Sequence, residues 1–538
     1  MRGRLIETVI RQFGETGFEG ASTHTIAVAA HTTMSKITYH FGSKHGLLCF
    51  AGLAMACLPG CISLAPYSKQ PGLVADIPTT FGDPAVVGEY RPEAWWNAFE
   101  DDQLNALVSD ALAQNLDIAE AAARVERARA QARIARSAMV PAINATISAI
   151  DASTPIAGSA FGGLGGAGFD RIETETYAPS IGAAYELDLF GRVRNDFAAS
   201  RKDAIASEFA LQSVQLAAAA ETISAYFDIV DTRRQIELTQ LTIDVLVDRT
   251  ARTEERFERG LIDSFELYQV RQELRVNQAA LPQLESALAT SIGRLAVLTR
   301  SFPEDIGNRL DTVLQPRLVL EPVPAGLPSE LLLQRPDVSA EWTRLEAARL
   351  RIGARRAERF PQISLSGSVG GQGGTLGAGF DFAENWTSSL AANIVAPIFN
   401  AGRITANIRS ARAAYDQQAA VYARTVLVAY SEASSAIENY QQQRQRYGLI
   451  AAQMAEARSS LDLQKRRFSV GVGGYIAYLD ALRAVYHAET SLSSAARATA
   501  LARLGVHRAL GGNWASGTES VALEMVEIDQ LQATGENE

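Results

Sequence analysis

The chain has 538 residues, 47% hydrophobic and 20% charged, which is enough apolar material for more than one domain. Its 60 carboxylate residues outnumber its 50 lysines and arginines, and a net charge of -10 excludes the broadly basic surface that a dominant nucleic-acid-binding role needs. All three cysteines, Cys49, Cys57 and Cys61, lie near the N-terminus, so disulfides and cysteine-based metal sites are excluded beyond them.

The first segment, Arg4 to Leu48, carries Phe13, Gly17-Phe18, Thr25-Ile26-Ala27, Ala30, Ile37, Tyr39-His40-Phe41 and Lys44. It resembles the helix-turn-helix of TetR-type repressors. The resemblance implies a fragment over residues 1–48 in which Thr25, Lys36, Tyr39, His40 and Lys44 are the DNA-binding candidates. His31-Thr32 replaces the family's usual Gly-Val turn, and no ligand-binding dimer domain follows, so a remnant is expected rather than a working repressor.

Residues 44–61 read as a secretion signal: Lys36 and Lys44 precede an apolar run from Leu47 to Leu58, which is too short to span a bilayer. Leu58-Pro59-Gly60-Cys61 resembles a bacterial lipobox, which implies a covalent lipid on Cys61, the only cofactor expected. Met34 offers an alternative start, which would leave the first 33 residues out of the product.

From residue 62 to 538 one unit is written twice, at about 100–300 and 327–512. In the first copy Pro141 ends a helical pattern, and two alternating runs, Asn144 to Ile150 and Tyr177 to Leu189, flank a glycine-rich loop. The corner Leu189-Phe190-Gly191-Arg192 then opens a helical pattern of roughly 70 residues, about 100 Å of helix. It breaks at Arg256-Phe257-Glu258-Arg259-Gly260, and a second helix follows. The second copy repeats the order: Pro361, runs from Gln362 to Val369 and Asn385 to Phe399, the corner Ile398-Phe399-Asn400-Ala401-Gly402-Arg403, and a break at Arg467-Phe468-Ser469-Val470-Gly471. Ala217 to Ala220, with Ala411, Ala413, Ala414, Ala419 and Ala420 in the second copy, are small enough for close helix packing. The acidic, polar tail from 518 to 538 reads as disordered.

Two hairpins supply four strands, fewer than the eight of the smallest common membrane barrels. An open edge in lipid costs several kcal/mol per unpaired group, so several copies must close one cylinder.

Trp95-Trp96-Asn97-Ala98-Phe99, Leu107 to Asn115, Leu327 to Val338, Ile352-Gly353, Phe360-Pro361-Gln362-Ile363 and Leu510-Gly511-Gly512-Asn513-Trp514 together look like the TolC-like outer-membrane efflux proteins, in their NodT-type lipoprotein branch. The resemblance implies a mainly α fold with a membrane β-barrel contribution: a homotrimer with a long α-helical barrel and four β-strands per chain. It further implies a lipid-anchored protein of the cell outer membrane extending into the periplasm. There it would serve as a passive exit duct for drugs or other small molecules, working with a periplasmic adaptor and an inner-membrane pump. Two other classes stay open: a DNA-binding regulator led by the N-terminal segment, and a lipid-anchored structural protein without a pore.

No catalytic or metal residue is expected, because only His487 and His507 lie outside the N-terminal segment and the glycine-rich stretches lack a phosphate-loop lysine. The gate candidates sit at the fold-back tips: Arg256, Arg259 and Asp263 in the first, Arg467 and Gly473 in the second. Many family members carry an acidic residue where Gly473 stands, so Asp263 is the expected replacement. Trp95, Trp96 and Trp342 are expected to pack, and Asp337 to start a helix. The exported substrate is not legible.

Overall fold

The computed structural model describes residues 95–155, 171–310, 320 and 335–512. The expectations at Thr25, Lys36, Tyr39, His40, Lys44, Cys61 and the tail lie outside the described residues. In chain order the elements are a 3-10 turn Trp95–Phe99, α1 Asp102–Gln114, α2 Leu116–Ser137, β1 Ala142–Pro155, β2 Arg171–Leu187, α3 Arg192–Glu258, α4 Ser264–Leu298 and α5 Pro303–Arg309. There follow α6 Pro336–Ala357, β3 Gln362–Gly371, a one-turn helix Leu376–Gly379, β4 Trp386–Val395, α7 Arg403–Ser469 and α8 Tyr475–Ala509.

The duplication is numerically close. Helices α3 and α7 each have 67 residues, and α4 and α8 each have 35. Their starts are set by the same device: Gly191 and Gly402, immediately before Arg192 and Arg403, have φ of 78° and 82°, a region that glycine enters without steric cost.

By Cα proximity the chain forms two units. The first holds residues 134–198 and 349–412 and contains a four-stranded antiparallel sheet in the order β1-β2-β3-β4. Opposed residues share a face, and the register sorts the side chains cleanly. Ile143 lies opposite Ala183, Ile181 opposite Val369, and Leu365 opposite Ala392, with Leu390 and Ile394 on the same face. The other face carries Asn144, Thr146, Ser180, Ser364, Ser366 and Asn393, with Ser368 and Ser389 hydroxyls 2.8 Å apart.

The apolar face is uncovered. Ile143, Ile147, Ile181, Val369 and Ile394 are exposed, and Leu390 is 88% exposed. Strands β3 and β4, at 10 residues each, match the length of a tilted membrane strand. The outer edges of β1 and β4 have no strand partner among the described residues, so this sheet is incomplete on two sides and apolar on a third.

The second unit is helical. Its core joins Trp95, Phe99, Leu104, Val108, Ile223, Tyr226, Phe227, Leu295, Ile306 and Leu504. Three sequence motifs far apart in the chain meet here. Trp95 stacks on His507 at 5.2 Å. Buried Arg335 donates to Asp337, Glu432 and the Ala509 carbonyl at 2.8–3.1 Å. Gly511, at φ 89°, lies so close to Arg335 that a Cβ there would stand 3.0 Å from the Arg335 Cα. Asp337 does accept from the Val338 amide at the start of α6, and it also holds the Arg335 fork. Trp342 is partly exposed beside Tyr422.

The alanine stripes behave differently in the two copies. Ala218, Ala219 and Ala220 are buried, whereas Ala413, Ala414 and Ala420 are exposed. Residues small enough for close helix packing therefore face outward on α7, with none of the described residues covering them.

Burial, reinforced by the Arg503 guanidinium, pushes the His507 imidazole down from its ordinary 6.5 to about 3. The unfolded chain takes up this proton near pH 6.5 and the folded chain does not, so the stability it confers is complete above pH 6.5 and is lost as pH falls toward 3. The slope is about 1.4 kcal/mol per pH unit, which amounts to about 2 kcal/mol at pH 5. Denaturant unfolding at pH 7.5 and pH 5 is expected to show that extra acid loss in the wild type and not in His507→Leu; equal losses would contradict it.

Candidate functional site

The two fold-back tips are built alike. At the first, the Gly260 amide donates to the Phe257 carbonyl and the Leu261 amide to Arg256; at the second, Gly471 donates to Phe468 and Val472 to Arg467. These paired bonds are the Schellman arrangement, and φ values of 70° and 76° explain the glycines. Leu261, Phe265, Val470 and Val472 protrude from the tips with their apolar surfaces exposed.

The gate candidates read from sequence do not converge into one cluster. Asp263 is the N-cap of α4, its carboxylate accepting from the Phe265 and Glu266 amides at 3.0 and 3.1 Å. The sequence carried that signal, since Asp263-x-x-Glu266 is the spacing of a capping box. Arg259 pairs at 2.5 Å with Glu255 one turn back on its own helix. Arg256 and Arg467 serve the turns through their carbonyls, and their side chains are exposed. A Cβ at Gly473 would lie 2.9 Å from the Phe468 nitrogen and the Arg467 Cβ. This turn therefore has no room for the aspartate that the resemblance led one to look for.

The convergence lies just behind the tips, on residues that the sequence did not single out. Arg249 on α3 reaches Asp480 on α8 at 2.8 Å and Glu273 on α4 at 3.7 Å. Arg483 on α8 pairs with the same Glu273 and approaches Asp480 at 3.9 Å. Two guanidinium groups and two carboxylates thus alternate across three helices. Beside them the Tyr475 hydroxyl donates to Asp248 on α3, with the Arg252 guanidinium 5.4 Å from the Tyr475 ring centre. The hydrogen bond to Asp248 is the main cause holding that hydroxyl above the usual phenol range. Tyr475 also packs with Phe468 and Tyr478 at 5.2 and 6.0 Å. These contacts fasten the returning helix of the second copy to the hairpin of the first. Being half-exposed and charged, they are strong enough to hold and weak enough to release.

A membrane-suited sheet and a duplicated pair of long helical hairpins agree with what the comparisons find. The family model described as outer membrane efflux protein matches residues 107–299 and 327–512. The chain belongs to this family. Solvent efflux pump outer membrane protein SrpC of Pseudomonas putida is 31% identical over 474 residues, 86% of this chain and 97% of that protein. The probable outer membrane lipoprotein SilC of Salmonella typhimurium is 28% identical over 466 residues, covering 85% and 96%. Among solved structures, the outer-membrane channel OprN aligns with a TM-score of 0.72 at 27% identity, over 81% of this chain and 97% of that one. This efflux-family chain is thus an outer-membrane protein with the fold of a channel and the role of an exit duct. A second model, bacterial regulatory proteins of the tetR family, matches residues 5–49.

Proposed function

We propose that the chain acts as a homotrimer, a passive outer-membrane duct that passes drugs, solvents or other small molecules delivered by an inner-membrane pump through a periplasmic adaptor. The observation that carries this reading is the sheet with two open edges. Each chain gives four strands with an apolar outer face, and three chains would give a twelve-stranded barrel with a polar lumen and no edge. The exposed alanines of α7 are the surface that a neighbouring copy would cover. The protruding apolar tips suit an adaptor. A lipid on Cys61 would add an anchor, and mass analysis of the mature N-terminus tests it.

The internal repeat indicates how copies would join. Strand β2 pairs with β3 inside the chain, so β4 of one copy should pair antiparallel with β1 of the next. Ala392 shares the apolar face with Leu365, and Ala149 pairs with Tyr177 on that same face; Ser148 lies on the polar face. A one-residue slip would invert every side chain. Cysteines at Ala392 and Ala149 are therefore expected to form disulfides between copies, giving a ladder that ends at three chains on a non-reducing gel. Cysteines at Ala392 and Ser148 should not cross-link. A ladder in neither case, or in both alike, would contradict the arrangement.

A further inference from the structure

Charge in the sheet-bearing unit is sorted by position. The segments that enter and leave the strands on the helix side, 134–141, 186–198, 349–361 and 396–412, hold eleven arginines and four carboxylates, in a chain whose net charge is -10. At the opposite end of the sheet, Asp151, Glu173, Glu175, Asp381 and Glu384 face one cation, Arg171. The strands between carry no ionisable acid or base on their apolar stretch from 142 to 150 or from 386 to 395.

Ion pairing inside the unit leaves that excess in place. The four carboxylates each have an arginine: Glu186 lies 2.7 Å from Arg192, Asp188 3.6 Å from Arg194, and Arg355 lies 2.5 Å from Glu358 and 3.4 Å from Asp196. The charges of Arg192 and Arg351 also act on Asp196, and that of Arg403 on Glu358. Arg136 and Arg359 are exposed and have no ion-pair partner among the described residues. Next to this cationic rim the apolar surface continues outward, with Ile398 98% and Phe399 88% exposed between β4 and Arg403.

A cationic rim at the end of an apolar band fits one kind of surface, the headgroup layer of a bilayer, where hydrocarbon gives way to phosphate. Arginine offers a planar fork of donors that matches phosphate oxygens, and a basic residue near an anionic membrane contributes attraction that falls away within a Debye length. A soluble acidic protein would need the cations but not the exposed isoleucine and phenylalanine beside them. We infer that the arginine rim at the helix side of the sheet binds anionic phospholipid headgroups of the adjoining leaflet, with Arg136 and Arg359 as its available phosphate ligands. The inference rests on the reading that the sheet lies in the membrane.

The test uses the full chain in nanodiscs of equal phosphatidylcholine and phosphatidylglycerol, with lipids retained after extraction counted by native mass spectrometry. The wild type is expected to keep phosphatidylglycerol over phosphatidylcholine by about tenfold at low salt, with the preference shrinking at high salt. R136Q/R359Q is expected to lose most of that preference, while R127Q/R133Q on α2, which removes the same charge from the helical unit, should keep it. Equal retention of the two lipids by the wild type, or equal loss in both variants, would overturn the inference. If R136Q/R359Q fails to assemble, the wild-type ratio and its salt dependence decide. Ion conductance of the same wild-type preparation separates the two ideas: a conducting protein without lipid preference sinks the rim alone, and a non-conducting one sinks the duct.

Discussion

Substituting Tyr475→Phe, Arg249→Ala and Arg483→Ala together is expected to raise the steady conductance of the protein in a planar bilayer by roughly an order of magnitude. The triple change removes four contacts that cross between helices: the Tyr475 hydrogen bond to Asp248, the Arg249 contacts to Glu273 and Asp480, and the Arg483 pair with Glu273. Half-exposed pairs contribute about 0.5 kcal/mol each after solvent screening, so the set contributes about 2 kcal/mol. That energy corresponds to a shift of roughly 30-fold in a closed-to-open equilibrium, at about 1.4 kcal/mol per factor of ten. High salt should move the wild type in the same direction, because screening weakens such pairs. Arg259→Ala is the contrast: its partner Glu255 lies on the same helix, so breaking that pair cannot separate helices and conductance should stay unchanged. Asp263→Ala should cost about 1 kcal/mol as a lost cap, again without opening. An unchanged triple variant, or an open Arg259→Ala, would show that the tips are held elsewhere.

Arg335→Leu is expected to have the largest effect on stability, about 2–3 kcal/mol read from denaturant unfolding in detergent. Removing one member of a fully buried ion pair costs about 3–5 kcal/mol. Here the arginine is buried but Asp337 and Glu432 are 40% and 49% exposed, and water recovers part of their loss. The Ala509 carbonyl at the end of α8 loses its donor as well. Arg335→Lys keeps the charge but lacks the planar fork, and one ammonium cannot serve Asp337, Glu432 and Ala509 together, so about 1–2 kcal/mol should still be lost. A lysine variant as stable as wild type would mean that charge alone, not the fork, holds α6, α7 and α8 together at this point.

Much of the site's scaffold was legible and its working contacts were not. The fold-back points were read from Gly260 and Gly471 because a helix that ends on glycine with φ above zero leaves a mark on a single residue. The two hairpins were read from period-two alternation, though β1 runs on past Ile150 to Pro155, β2 starts at Arg171 rather than Tyr177, and β4 stops at Val395 rather than Phe399. The contacts between helices behind the tips escaped because Tyr475 and Asp248 are 227 positions apart, and Arg483 and Glu273 are 210 apart. Helical periodicity places each residue on a face without saying which face of which other helix it meets. Asp263 was read as a gate because its charge sits at a tip; in the fold its Oδ1 also caps α4, accepting from the Phe265 and Glu266 amides.

What the amino-acid order settled by itself was local or repeated: where helices start and stop, which strand positions are apolar, and that one unit occurs twice. Steric limits at glycine and proline and the two-residue and 3.6-residue periods act within a few positions, so they can be read without knowing the fold. The tertiary structure alone decided that Trp95, Arg335 and Gly511 meet, and that Arg249, Glu273, Asp480 and Arg483 alternate across three helices. Those outcomes depend on how long helices register against one another. Many side chains summed over their length fix that register, and no short motif encodes it.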